Sequence, residues 1–141
     1  MTVVCDTGAL LALLDASEAA HADLVKLYER QPQAWVLPAA MLPEADYLVG
    51  KYLGERAQRA LLSDLAEGRF TVVWGCDEDL RRAAAVCSRY ARLQLGWVDA
   101  MVMACAVRLQ ADAIATLDLR HFGAVALPGR PQLWPRDAVK S

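Results

Sequence analysis

The sequence predicts an α/β fold, a mainly parallel central sheet with helices on both faces, and two observations carry that prediction. Short apolar runs, several of them β-branched, alternate along the chain with longer stretches of helical periodicity. Four carboxylates, Asp6, Glu44, Asp99 and Asp118, each sit at the edge of an apolar segment. That is where residues far apart in sequence converge if they follow the carboxyl ends of parallel strands. No internal repeat, linker or low-complexity tract interrupts the alternation.

The elements follow in order. Residues 2–5 are apolar and β-branched and read as a first strand ending at Asp6. Thr7-Gly8 opens a helix that closes near residues 15–17, and a second helical run spans about 18–30, with Leu24, Leu27 and Tyr28 at helical spacing. Gln31-Pro32-Gln33 breaks it. Trp35-Val36-Leu37 reads as a short buried strand ending at Pro38. Residues 41–52 place Leu42, Ala45, Leu48, Val49 and Tyr52 on one side of a helix that Gly54 ends. Another amphipathic helix covers 55–67 and closes at Gly68.

Residues 70–74 (Phe-Thr-Val-Val-Trp) form a clear strand. Asp77 is expected to cap a long helix running towards Leu95, with Leu80, Ala83, Cys87 and Tyr90 on its apolar face. After a short break at Gly96-Trp97-Val98, Asp99 opens a helix that is apolar nearly all round, so it must be central and buried. Residues 112–117 give a further strand, ending at Asp118. Pro128, Gly129, Pro131 and Pro135 mark an irregular C-terminal region with a last edge strand near 132–134.

Bulk properties bound the class. At 141 residues the chain fits one domain, 1–141, and 56% hydrophobic content supports a sizeable core. No run approaches the ~18 apolar residues of a membrane span, and the N-terminus lacks a basic n-region, so a cytoplasmic protein with no membrane association is expected. The four cysteines form no C-x-x-C pair and only two histidines exist, which argues against zinc and for free thiols. The four tryptophans adjoin strands or helix starts and are expected to pack in the core or an interface. A net charge of −2 does not favour a nucleic-acid partner, but basic pairs such as Arg56 with Arg59, Arg81-Arg82, and Arg89 with Arg92 give the surface local positive patches.

Each acid has an ordinary structural reading: Asp6 and Asp118 as helix caps, Asp99 as an acid favoured by a helix dipole, Glu44 as a solvated helix residue with Asp46 a competitor for its role. Together they make a site. Bringing like charges into one crevice costs energy unless a cation neutralises them. Oxygen-only ligands suit a hard divalent ion such as Mg²⁺. Such an ion activates water and relieves charge at a leaving oxygen, which is the chemistry of phosphodiester hydrolysis.

The local words are more specific than the spacing. Val3-Val4-Cys5-Asp6-Thr7-Gly8-Ala9-Leu10-Leu11, Leu37-Pro38-Ala39-Ala40-Met41-Leu42-Pro43-Glu44-Ala45, Leu95-Gly96-Trp97-Val98-Asp99-Ala100 and Ala115-Thr116-Leu117-Asp118-Leu119-Arg120-His121-Phe122 occur in that order. They resemble the PIN-domain ribonucleases, especially the VapC-type toxins of toxin–antitoxin systems, over essentially the whole chain. The resemblance implies a PIN-like three-layer α/β/α sandwich and a Mg²⁺- or Mn²⁺-dependent endoribonuclease. It also implies RNA as substrate, a cognate antitoxin as partner, and a homodimer built on the helices of residues 41–67. Asp6 and Asp99 are then expected to make the principal metal contacts, with Glu44 and Asp118 positioning or deprotonating the attacking water. Thr7 matches a hydroxyl residue that orders water or the strand-end acid, and Arg120 with His121 is placed to meet substrate phosphate. Two positions depart from the pattern: Pro43 directly precedes Glu44, and Leu119 stands where a second basic residue is frequent.

Other acid-bearing folds fit poorly. A receiver domain needs an adjacent acidic pair after the first strand and a late lysine, yet no lysine lies between Lys51 and Lys140. A haloacid-dehalogenase-type phosphatase needs D-x-D, and position 8 is Gly8; a dinucleotide fold needs G-x-G-x-x-G, which is absent. The remaining rival is a catalytically silent PIN-like module that binds RNA or protein.

Overall fold

The computed structural model describes residues 1–138, so the last three positions of the expected 1–141 domain lie outside the described residues. Val3–Cys5 forms β1, and all three of its side chains are buried. Asp6 then caps α1 (Thr7–Leu14), its carboxylate accepting from the Ala9 N–H. The second helix, α2 (His21–Arg30), starts later than helical periodicity suggests. Asp15 is the reason: its Oδ1 accepts from both the backbone N–H and the hydroxyl of Ser17, a local turn that competes with helix. His21 donates from Nδ1 to the Ala12 carbonyl, 2.8 Å away, and tethers α2 to the end of α1.

The next strand, β2 (Trp35–Pro38), is buried throughout. A single 3-10 turn leads to α3 (Leu42–Leu53), and Pro43 falls in its first turn, where the missing N–H has no intrahelical partner to lose. Gly54, at φ +94°, turns the chain directly into α4 (Glu55–Ala66). β3 (Thr71–Val73) is followed by α5 (Asp77–Arg89). Cys76, not Asp77, occupies the capping position, and the helix stops six residues before Leu95. The apolar spacing there continues through a 3-10 turn (Ala91–Leu93) and a left-handed Gln94, which periodicity alone does not distinguish from α-helix.

The helix α6 (Trp97–Arg108) begins two residues before Asp99, so Asp99 lies in its first turn and does not open it. Its seven consecutive buried residues, Ala100 to Ala106, make it the central helix expected from its composition. Full burial of Val102 and Met103 is worth about 1.5–3 kcal/mol each. β4 (Ala113–Ala115) is shorter than the apolar run, leaving Thr116 and Leu117 between its end and Asp118. The single-turn α7 (Leu119–Phe122) and β5 (Gln132–Trp134) complete the described chain.

The strands pair in the order β3-β2-β1-β4-β5, and every pairing is parallel. With helices flanking the sheet, this is the α/β sandwich expected. The chain runs outward from β1 to β3, then crosses back to β4 and β5 on the other side. That reversal puts the topological switch point between β1 and β4, and such a sheet leaves a crevice outside the carboxyl ends of those strands. Trp35 is buried, edge-on to Tyr28 at 5.6 Å and 6.3 Å from the Trp134 ring. Trp74 and Trp97 depart from the expectation of core packing, being 74% and 53% exposed. All four cysteines are free, and no helix among the described residues is long and apolar enough to cross a membrane.

Candidate metal centre

The switch-point crevice is an open pocket of about 380 Å³, and all four predicted acids line it. Asp6 enters it directly from β1. Its backbone N–H continues the ladder onto the Ala115 carbonyl, and its Oδ1 accepts from the Ala9 N–H at 2.8 Å. The helix-cap reading of Asp6 therefore holds, and the same side chain lines the pocket. The other oxygen, Oδ2, accepts from the Thr116 hydroxyl. That hydroxyl in turn accepts from the Asp118 N–H at 3.0 Å, so one buried threonine holds both strand-end acids. Cys5 pairs with Ala115 in the sheet, which puts Thr116 level with Asp6. The polar residue closing an otherwise apolar run was the sequence signal for it, legible only once the register is known.

Asp118 also caps α7, with Oδ1 accepting from the His121 N–H at 3.0 Å. His121 Nδ1 lies 3.0 Å from Asp118 Oδ2 and 3.3 Å from Asp99 Oδ2. The histidine is thus turned onto the acids, and candidate ligand atoms of Asp99, Asp118 and His121 all fall within 4.8 Å of one another. Arg120, the neighbouring candidate, is exposed and outside the pocket lining. Glu44 is exposed on the rim, in the first turn of α3. Its competitor Asp46 does not line the pocket.

Burial pushes the Asp6 carboxyl up to about 6, against the bonds from Thr116 and Ala9, and the nearby Asp99 and Asp118 charges add to the rise. Asp99 is also raised, first by burial, with the His121 bond opposing and Asp118 and Glu44 adding. These are carboxylates held where their charge is unwelcome. Beside them the Thr7 hydroxyl is buried, lines the same pocket and has no hydrogen-bond partner among the described residues. Carboxylate oxygens carrying unneutralised charge next to an orphaned hydroxyl fit a hard, oxygen-seeking divalent cation with its water shell. Leu11, Leu48 and Leu117 form the apolar part of the lining.

A second buried charge was missed in the sequence. Asp79 is 2% exposed and receives two bonds from Arg108, at 2.8 and 2.9 Å. It lies outside the acid pocket and ties α5 to α6.

The PIN domain profile matches residues 3–127. Ribonuclease VapC26 of Mycobacterium tuberculosis (strain ATCC 25618 / H37Rv) is 33% identical over 123 residues, covering 87% of this chain and 91% of that protein. Two solved structures share the fold. The M. tuberculosis toxin VapC20, described as cleaving the sarcin–ricin loop, superposes with a TM-score of 0.77 at 18% identity, covering 89% of this chain and 97% of that one. A toxin–antitoxin complex from Klebsiella pneumoniae gives a TM-score of 0.66 at 21% identity, covering 91% and 94%.

Proposed function

The chain belongs to the PIN-domain family, and we propose that it acts as a VapC-type ribonuclease, the toxin of a toxin–antitoxin pair, hydrolysing RNA at the acid pocket. The observation that carries the reading is the convergence of Asp6, Glu44, Asp99 and Asp118 at the switch point beside the unpartnered Thr7 hydroxyl. Residues 1–141 then form one PIN domain, with β5 extending the sheet past the family match by pairing with β4.

Asp6 and Asp99 would be the principal ligands of a divalent cation, Mg²⁺ or Mn²⁺, with Asp118 in support. When bound, the cation supplies a lowered water pKa and a counter-charge at the scissile phosphate. The protein's own part is positional. Thr116 keeps Asp6 and Asp118 at fixed separation across β1 and β4, and His121 holds Asp118 against Asp99. Thr7 orients water towards Asp6. Glu44, solvent-facing on the rim, takes the proton from the attacking water and returns it to bulk.

Partners follow from the same surface. A basic segment of an antitoxin would satisfy the acids and block the pocket at once. The exposed Tyr47, Tyr52 and Leu62 of α3 and α4 give a homodimer an apolar face.

Cleavage of a mixed RNA pool, with Mg²⁺ or Mn²⁺ and with EDTA, tests the reading beside Asp99→Asn. Metal-dependent cutting lost in the variant is expected, with a rate drop of at least a hundredfold, on the order of what losing one electrostatic contact at a reacting centre costs. Folded wild-type protein that binds RNA but never cuts it, with metal present, would instead identify a silent binding module.

A further inference from the structure

Behind α7 lies a second cavity, of about 330 Å³, that the acid pocket does not include. Phe122, Leu127 and Leu133 form its apolar floor, and Arg130, Arg136 and Asp137 its polar rim. Along the chain the two linings are one turn of α7 apart: Leu117 and Asp118 line the first, Phe122 and Gly123 the second, and the Phe122 N–H bonds to the Asp118 carbonyl at 3.1 Å. One helical turn is about 5.4 Å long, so α7 sets Asp118 of the first lining and Phe122 of the second about that far apart along its axis.

The rim is built to receive something. Arg136 donates from Nε and Nη2 to both oxygens of Asp137, at 2.7 and 3.0 Å. Asp137 is itself fixed to β5 by the Leu133 N–H at 2.9 Å. The guanidinium plane is therefore held in place with its charge already balanced, a flat surface suited to stacking on a base. Arg130 differs: it is exposed and has no ion-pair partner among the described residues, so it leaves one net positive charge on the rim. An apolar floor, a held guanidinium plane and a free cation match the three parts of a nucleotide.

We propose that this cavity is an RNA subsite that takes one nucleotide flanking the scissile phosphate, with Arg130 on its phosphate and the Arg136 plane against its base. The proposal rests on the ribonuclease reading above and extends it to where the strand runs, over α7 and away from α3. Arg130 is a binding residue here, with no part in bond breaking.

The test uses the full chain. Anisotropy of a fluorescein-labelled mixed-sequence single-stranded RNA, in EDTA, compares wild type with Arg130→Ala, Arg130→Lys, Arg136→Ala and, as an exposed control on α4, Arg59→Ala. Arg130→Ala is expected to weaken binding by about tenfold and to lower the salt slope by about 1, with Arg130→Lys retaining most of the affinity. In Mg²⁺ the same variant should raise KM by a like factor and leave kcat unchanged. Arg130→Ala binding no worse than Arg59→Ala would overturn the subsite, as would an equal loss of affinity for duplex DNA, which marks unspecific charge. RNA left uncut by the wild type in Mg²⁺ sinks the ribonuclease reading beneath it. Cut RNA with KM unchanged in Arg130→Ala sinks the subsite alone.

Discussion

At the scale of residues, Thr116 is the position on which the site geometry turns. Thr116 is 1% exposed, and its hydroxyl serves both strand-end acids, donating to Asp6 and accepting from the Asp118 N–H. Thr116→Val keeps the shape and removes those roles, leaving the Asp118 N–H without its partner and one Asp6 oxygen without its donor. We expect a loss of about 1–3 kcal/mol in urea unfolding. Mn²⁺ affinity should fall by about 10–100-fold by calorimetry, the usual effect of losing a group that orients a ligand. Thr116→Ser should restore most of both. A valine variant that binds Mn²⁺ like wild type would show that the acids hold their positions without the threonine. The acids themselves were legible in the sequence because charge at the edge of an apolar run is conspicuous. Thr116 was not, since a threonine closing a strand is unremarkable until the register sets it beside Asp6. The inward turn of His121 was equally hidden, because adjacency to Arg120 suggested a phosphate contact and only the fold sets it between two carboxylates.

At the scale of elements, the α5–α6 pair depends on a contact between residues 29 apart that no local pattern encodes. Periodicity is enough to find both helices but says nothing of Asp79, and it runs α5 on to Leu95 where the backbone tightens at Tyr90. In the fold Asp79 is buried, and Arg108, at the far end of α6, bonds it twice and also donates to the Trp74 carbonyl at 3.2 Å. Burial alone would raise the Asp79 carboxyl, but the Arg108 bonds and charge, with Cys76 assisting, leave it below its ordinary value. A lowered folded-state pKa stabilises above the unfolded value near 3.8, and that support is lost as pH falls through the folded value. Between pH 5 and 7 the pair should therefore add no slope to stability. Arg108→Met strands a buried carboxylate and should cost about 3–5 kcal/mol at pH 7. The same variant should now gain stability as pH falls, because an unpaired buried Asp79 prefers its proton. Urea midpoints of both proteins across that range check both statements, and a midpoint for Arg108→Met that rises towards pH 5 no more than the wild type's would mean that water reaches Asp79.

At the scale of the whole molecule, the order β3-β2-β1-β4-β5 brings Asp6, Asp99 and Asp118 together, and the fold bears the cost of their repulsion. Alternation of strand and helix was enough to read a parallel sheet from the sequence, and acids after two strands were enough to read a crevice. Neither reveals how strongly the topology strains those charges, which depends on burial. Asp6 rises from 3.8 to about 6 mainly through desolvation, and Asp99 moves the same way. A carboxyl whose folded-state value lies above its unfolded one binds more protons folded than unfolded between those two values. Stability of the metal-free protein must then fall as pH rises from about 4 to about 6, and by pH 7 Asp6 alone accounts for about 3 kcal/mol. In EDTA the urea midpoint should accordingly be higher at pH 5 than at pH 7, and Asp6→Asn should flatten most of that difference. The Asn variant serves as the reference because Glu44, Asp118 and His121 face the same pocket and their contributions remain in both proteins. Added Mn²⁺ at about a hundred times its Kd contributes about 2.7 kcal/mol through binding, so at pH 7 it should recover nearly what the buried charge removed. In Asp6→Asn the same Mn²⁺ concentration should recover far less if Asp6 is the principal ligand proposed above. A metal-free protein equally stable at pH 5 and 7, or Mn²⁺ stabilising both proteins alike, would mean that Asp6 is neither strained by the fold nor a ligand of the ion.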